Sequence, residues 1–196
     1  MRKAACWLVG LSACWLCGGT ALAQGGRGRG PVRVMTLSSP AFQTGGQIPV
    51  KYSQAGPEVS PPLAWTDAPD SVVSYVLLVH DPNAPAGNAS DDVLHWLAWN
   101  IPGSASSLPE GVQQGPQLAD GTRQISVSGP YYRGPAAPAT GPVHAYVYEL
   151  YALDTMLDVH PVGATPAATR AAVVAAMAGH VRGKAALVGT FRRASP

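Results

Sequence analysis

Residues 75–100, YVLLVHDPNAPAGNASDDVLHWLAWN, constrain the rest of the chain more than any other stretch. Residues 75–79 are almost continuously apolar, the pattern of a strand covered on both faces. Asp81-Pro82 follows, and proline has no N–H to give a ladder, so pairing is expected to stop there. The chain resumes as a strand at His95. If the two strands run antiparallel, the end of the first and the start of the second share one rim. Residues 143–153 repeat the arrangement, with a long Gly/Pro loop and then His144 at the start of a strand. The sequence therefore predicts a β-scaffold that gathers Asp81, His95 and His144 at one mouth. His80 alternates with Asp81 and is expected on the opposite face as a structural residue.

The chain has 196 residues, room for one domain with a real core. Met1-Arg2-Lys3 is charged, residues 4–16 are apolar and Ala21-Leu22-Ala23 has the small-x-small form of a cleavage site. Residues 1–23 read as a secretory signal peptide cleaved after Ala23, too short for a transmembrane span. The mature protein is then periplasmic or secreted. Cys6, Cys14 and Cys17 all lie in the leader, so the mature chain carries neither thiol nor disulfide. Leu11-Ser12-Ala13-Cys14 resembles a lipoprotein box. Lipidation of Cys14 is the weaker alternative, because Trp15 and Leu16 continue the apolar run past it. Residues 24–31 open with QGGRGRG and read as a flexible tail. Losing Arg2 and Lys3 leaves eleven of the thirteen basic residues, matched by eleven acidic ones. That balance argues against a nucleic-acid partner, which needs a basic surface.

The remainder is mostly β. Strands are expected at 32–37, with Val32, Val34 and Thr36 on one face, and at 48–52 after the Gly45-Gly46 turn. Others are expected at 63–65, briefly within 123–128, and at 184–192. Thr165 caps the one clear helix, with Pro166 in its first turn and Gly179 after its end. Residues 103–141 form a long Gly/Pro/Ser-rich connection, of a length that is usually functional or mobile. Phe42 is expected to anchor its loop, and Trp65, Trp96 and Trp99 to be core. His160, His180 and the Asp91-Asp92 loop tip are expected in solvent.

Several motifs occur in a set order: Ser60-Pro61-Pro62-Leu63-x-Trp65, Asp81-Pro82-Asn83-Ala84-Pro85, His95-Trp96 with Asn100-Ile101-Pro102, and Gly134-Pro135 followed by Gly141 and His144-x-Tyr146. Together they resemble the phosphatidylethanolamine-binding protein family, in the bacterial branch often called Raf-kinase-inhibitor-like. Tyr151-Ala152-Leu153-Asp154 resembles that branch as well, and the likeness covers about residues 32–193. It implies a two-sheet β-sandwich with a small pocket at one end that binds phosphate or a phospholipid headgroup such as phosphoethanolamine. The ligand-binding residues it implies are Asp81, Ala84, Pro85, His95, Gly134, Pro135, His144 and Tyr146.

Two positions depart from the family pattern. Asn83 stands where an Asp is usual, and Ala145 where many members have Arg. Each removes a charge from the mouth. The residue chemistry is compatible with anion binding. Histidines titrate near neutral pH and can donate to phosphate oxygens, and a carboxylate such as Asp81 can fix an imidazole's tautomer. Tyr146, two residues past His144, shares its face. A cis bond is expected at Ala84–Pro85. No metal and no cofactor are expected, and the oligomeric state is left open. Two other functions fit parts of the pattern. One is a protein-interaction or inhibitor module using the long loops. The other is a hydrolase or zinc enzyme on Asp81, His95 and His144, although the chain has neither a Gly-x-Ser-x-Gly elbow nor a His-Glu-x-x-His motif.

Overall fold

A computed structural model describes residues 31–86, 91–161 and 165–195. The leader, Cys14, the cleavage site and most of the tail fall outside the described residues. The strands are β1 (Arg33–Val34), β2 (Thr36–Ser38), β3 (Leu63–Thr66), β4 (Ser74–Ala86), β5 (Asp91–Pro102), β6 (Ser107–Leu108), β7 (Arg123–Ile125), β8 (His144–Leu153) and β9 (Val181–Phe191). They form a six-stranded sheet in the order β1-β9-β8-β4-β5-β7 and a three-stranded sheet in the order β2-β3-β6. Only β1 and β9 run parallel among these pairs. The helix α1 (Pro166–Met177) packs on the outer face of the large sheet.

Period-2 alternation explains the layers. In β4 the side chains of Tyr75, Leu77 and Val79 enter the core between the sheets, where they meet Leu37, Leu63 and Trp65 of the small sheet. Val76 and Leu78 point the other way, against Val173 and Met177 of α1. The central strand is therefore apolar on both faces, as its sequence requires. β8 follows the same rule, with Tyr146, Tyr148 and Leu150 inside and Glu149 and Tyr151 toward the helix side. Thr165 caps α1 by accepting a hydrogen bond from the Ala168 N–H at 3.2 Å. Gly179 follows the helix at φ +81°, a conformation that glycine takes without strain. Trp65, Trp96, Trp99 and Phe42 are all buried, as the sequence predicts. None of the described helices is long and apolar enough to cross a membrane.

Several expectations need correction. Residues 48–52 are not a strand. Ile48 makes one rung, its N–H donating to Thr190 O at 2.7 Å, and Pro49 then ends pairing. The chain turns into a 3-10 segment, Val50–Tyr52. The 32–37 strand is divided at Met35 between the two sheets, and the buried face is Met35 and Leu37 rather than Val34. Asp91-Asp92 is not a solvated tip but the start of β5, with Asp92 bonded to His80 and Arg170. His180 is paired with Asp154 at 2.8 Å, whereas His160 stands well out in solvent. No cis peptide occurs among the described residues. Across Ala84–Pro85 the chain is extended, and Pro85 lies opposite Asp92.

Candidate functional site

The site is built by two irregularities in the β4–β5 pairing. Asp81 pairs with Val93 and Pro85 with Asp92, so Pro82, Asn83 and Ala84 have no partner across the ladder and bulge out. Proline's missing N–H is the local cause, but pairing resumes beyond it instead of ending. The second irregularity involves His95. Val79 pairs with Trp96 and His80 with Leu94, which leaves His95 as the extra residue of a β-bulge. Strict alternation with inward Trp96 would aim His95 outward, toward the helix. The bulge brings it instead against Tyr146 of the inner face, ring centroids 5.0 Å apart and edge to face. His95 is therefore not at the start of its strand, as the sequence had implied. It is the fifth residue of β5 and reaches the mouth through the bulge.

Asp81, 2% exposed, is the hub of the cluster. One oxygen, Oδ2, lies 2.8 Å from His144 Nδ1, and Oδ1 accepts the Asn83 N–H at 2.9 Å. His144 lies nearly parallel to Tyr146, with centroids 6.5 Å apart. The Tyr146 hydroxyl accepts the N–H groups of Ala136 and Ala137, each at 3.2 Å. His95 Nδ1 lies 2.8 Å from Arg133 O, and a carbonyl can only accept, so Nδ1 carries the proton. Gly134 follows, and it has to be glycine. A Cβ there would come within 2.5 Å of Tyr52 O and 2.9 Å of Ser53 Cα. Its N–H donates to Glu58 Oε1 at 3.0 Å, and Pro135 O accepts the Gln54 N–H at 3.0 Å. Asp81, His95, Gly134, His144 and Tyr146 thus come together, with Pro135 beside Gly134. Ala84 sits in the bulge, and Pro85 lies one pairing step beyond it.

The electrostatics divide the residues. Burial lowers the His95 pKa, and the Arg133 guanidinium adds to this, outweighing the Arg133 carbonyl and Asp81, which pull the other way. Burial, with the Asp81 charge, pushes Tyr146 up to about 12, so its hydroxyl keeps its proton.

Asn83 has a positive role. Its Oδ1 accepts the Ala145 N–H at 2.8 Å, tying the bulge to the start of β8 without a charge. Sequence reasoning missed Arg133, which lies immediately before Gly134. Its N–H donates to His95 O at 2.8 Å, and its guanidinium is held by Gln54 at 2.7 Å and Glu58 at 3.4 Å. It is a cation beside the histidine, where position 145 supplies none. The Ala136 and Ala137 amides that clasp Tyr146 were also missed, since backbone N–H groups have no sequence signature. Among the described residues no three His, Cys, Asp or Glu side chains are grouped so as to hold a metal ion.

The sequence profile described as phosphatidylethanolamine-binding protein matches residues 38–192. A UPF0098 protein of Methanothermobacter thermautotrophicus is 41% identical over 161 residues, which are 81% of this chain and 99% of that protein. The crystal structure of a phosphatidylethanolamine-binding protein homologue from Chlamydia trachomatis matches with TM-score 0.68 and 34% identity, covering 82% of this chain and 99% of that one. YbcL of E. coli, described as a member of the mammalian family, matches in fold with TM-score 0.66 at 22% identity, over 81% of this chain and 98% of that one.

Proposed function

This chain belongs to the phosphatidylethanolamine-binding protein family, and from that premise we propose that it is an exported binder of small anions of the phosphate or phosphoethanolamine type. The ligand is taken at the mouth formed by Asp81, His95, His144 and Tyr146, with Ala84, Pro85, Gly134 and Pro135 shaping the approach. The observation that carries the reading is the way both imidazoles are held. Each commits Nδ1 to the protein, to Arg133 O or to Asp81, which leaves Nε2 for a ligand. A strand bulge that turns a histidine from the helix side into this cluster adds nothing that an apolar side chain would not do better for stability.

The chemistry sets the affinity. A neutral His95 offers a lone pair at Nε2, suited to a P–OH or ammonium donor, and a protonated one offers a charge-assisted bond to a phosphate oxygen. Asp81 adds negative charge and Ala145 supplies no guanidinium. Dissociation constants are therefore expected in the millimolar range, about −4 kcal/mol, with affinity rising as pH falls. An NMR titration with phosphoethanolamine, and with inorganic phosphate in parallel, tests this. Shifts should cluster at residues 81–84, 95, 133–137 and 144–146. Shifts confined to the 103–130 loops would transfer the function to a protein-interaction surface. Export is tested separately: mass spectrometry of the mature product should give an N-terminus at Gln24, whereas a lipidated Cys14 would place the protein on a membrane.

A further inference from the structure

A cleft of about 230 Å³, half open to solvent, lies on the other side of the large sheet from the anion site, where its outer face meets α1. Val76, Leu78 and Leu97 of β4 and β5 and Val173 and Met177 of α1, packed against one another, line its base. All five are 6% exposed or less. The sequence of the helix accounts for the gap. Six of the twelve residues of α1, PAATRAAVVAAM, are alanine, and its buried row is only Thr169, Val173 and Met177. A helix this thin leaves the sheet incompletely covered toward its C-terminal end. Ala178 and Gly179 border the same end of the cleft without large side chains of their own. Val174, half exposed, stands at the rim.

We propose that this cleft is a second ligand site, independent of the anion mouth, and that it takes one small uncharged apolar molecule. Three features fix the class. The lining offers a single hydrogen-bonding side chain, Tyr151, and the Glu149 charge acts on its hydroxyl. A charged or strongly polar ligand would lose hydration there and gain at most one partner. Size sets the second limit. Enclosed apolar cavities of roughly 150 Å³ accept benzene, so a cleft of this volume, open on one side, has room for a ring of about six to ten non-hydrogen atoms. Met177 supplies the third feature, an unbranched, polarizable side chain that can adjust its rotamer to the shape of the guest.

The test uses toluene as probe and the side-chain methyl groups as reporters. Toluene should give saturable shifts at Val76, Leu78, Leu97 and Val173, with His144 and Tyr146 unmoved. Benzoate, of similar size but charged, should bind at least tenfold more weakly. Val174→Trp places a large ring at the exposed rim, where the core need not adjust. It should weaken toluene binding tenfold or more and leave the phosphoethanolamine titration as it was. Absence of saturable shifts up to the solubility limit of toluene in the parent protein would overturn the proposal, and that result needs no variant. Equal toluene affinity in folded Val174→Trp, equal affinity for benzoate, or shifts centred on the anion mouth would overturn it too.

Discussion

His80 and His95 belong to the same pair of strands, on opposite faces, and their surroundings treat them in opposite ways. His80 faces α1. Its Nδ1 bonds Asp92, which also holds Arg170 of the helix. Glu149 lies 3.6 Å from Nε2, too far for a hydrogen bond and close enough to act by charge. Burial pulls the His80 pKa down, but the two carboxylates outweigh both it and Arg170, and the net shift is upward. On the inner face His95 is the more deeply buried and has a carbonyl as its Nδ1 partner, and its pKa goes down. The outer cluster spends its charges on one another and fastens a helix to a sheet. Both nitrogens of His80 face carboxylates, whereas in the inner cluster the hydrogen bonds of His95 and His144 are made through Nδ1. The number of histidines and carboxylates in a cluster therefore says little about function; how far they are spent on one another says more.

The largest expected effect is on the outer side. Asp92→Ala leaves His80 and Arg170 without their shared carboxylate. Breaking a fully buried pair costs roughly 3–5 kcal/mol. These side chains are 14–24% exposed, so about 2 kcal/mol is expected. Urea unfolding should show that loss, while phosphoethanolamine affinity stays as in the parent protein. A loss of binding along with stability would mean that the two faces are coupled.

His144→Asn is the converse. The Asn amide can still donate to Asp81, so the buried carboxylate keeps its partner, but Nε2 is gone. Binding should fall at least tenfold, about 1.4 kcal/mol, with the unfolding midpoint nearly unchanged. Retention of binding would move the ligand away from His144.

A third variant probes the helix. Thr165→Ala removes the N-cap of α1 and should cost about 1 kcal/mol. The His80 ring resonances should respond, because Arg170 and Asp92 tie His80 to α1. Those of His144 should not, and equal disturbance of both would break the separation of the faces.

Much of this division was legible in the sequence, and what was not has a specific cause. His144 and Tyr146 could be placed from a strand start and alternation, because period 2 is a local property, whereas Asp81 lies within β4 beside a bulge and not at the strand end that its proline suggested. His80 could be assigned to the outer face by the same rule. The position of His95 was reached for the wrong reason: it lies within β5, and the bulge that turns it depends on the register chosen against β4. Asp92 was misread because its value comes from His80 and Arg170, the latter 78 residues away. Arg133 was passed over because a lone arginine before Gly-Pro has no pattern of its own. The family likeness fixed the two-sheet architecture, and it contained nothing about how thinly α1 covers the sheet.

The smallest effect is the most direct comparison of the two histidines. Their protonation equilibria should move apart, His80 titrating above the ordinary histidine value of about 6.5 and His95 below it. The signs follow from linkage. His80, raised in the folded state, contributes stability that is fully present below the unfolded pKa and is lost as pH rises through its folded value. His95, lowered in the folded state, contributes stability that is present above the unfolded pKa and is lost as pH falls through its folded value. The two contributions overlap near the unfolded value and fade on opposite sides of it, so stability should have a shallow maximum there. His80→Gln should flatten the alkaline flank and leave the acid flank in place. On the proposed function phosphate favours the protonated form of His95, so saturating phosphate should raise the His95 pKa and leave that of His80 alone. Two-dimensional imidazole nitrogen spectra across pH, with and without phosphate, measure all of these quantities. If His95 titrates above His80, or if phosphate shifts His80, the division between a spent outer cluster and an available inner one is wrong.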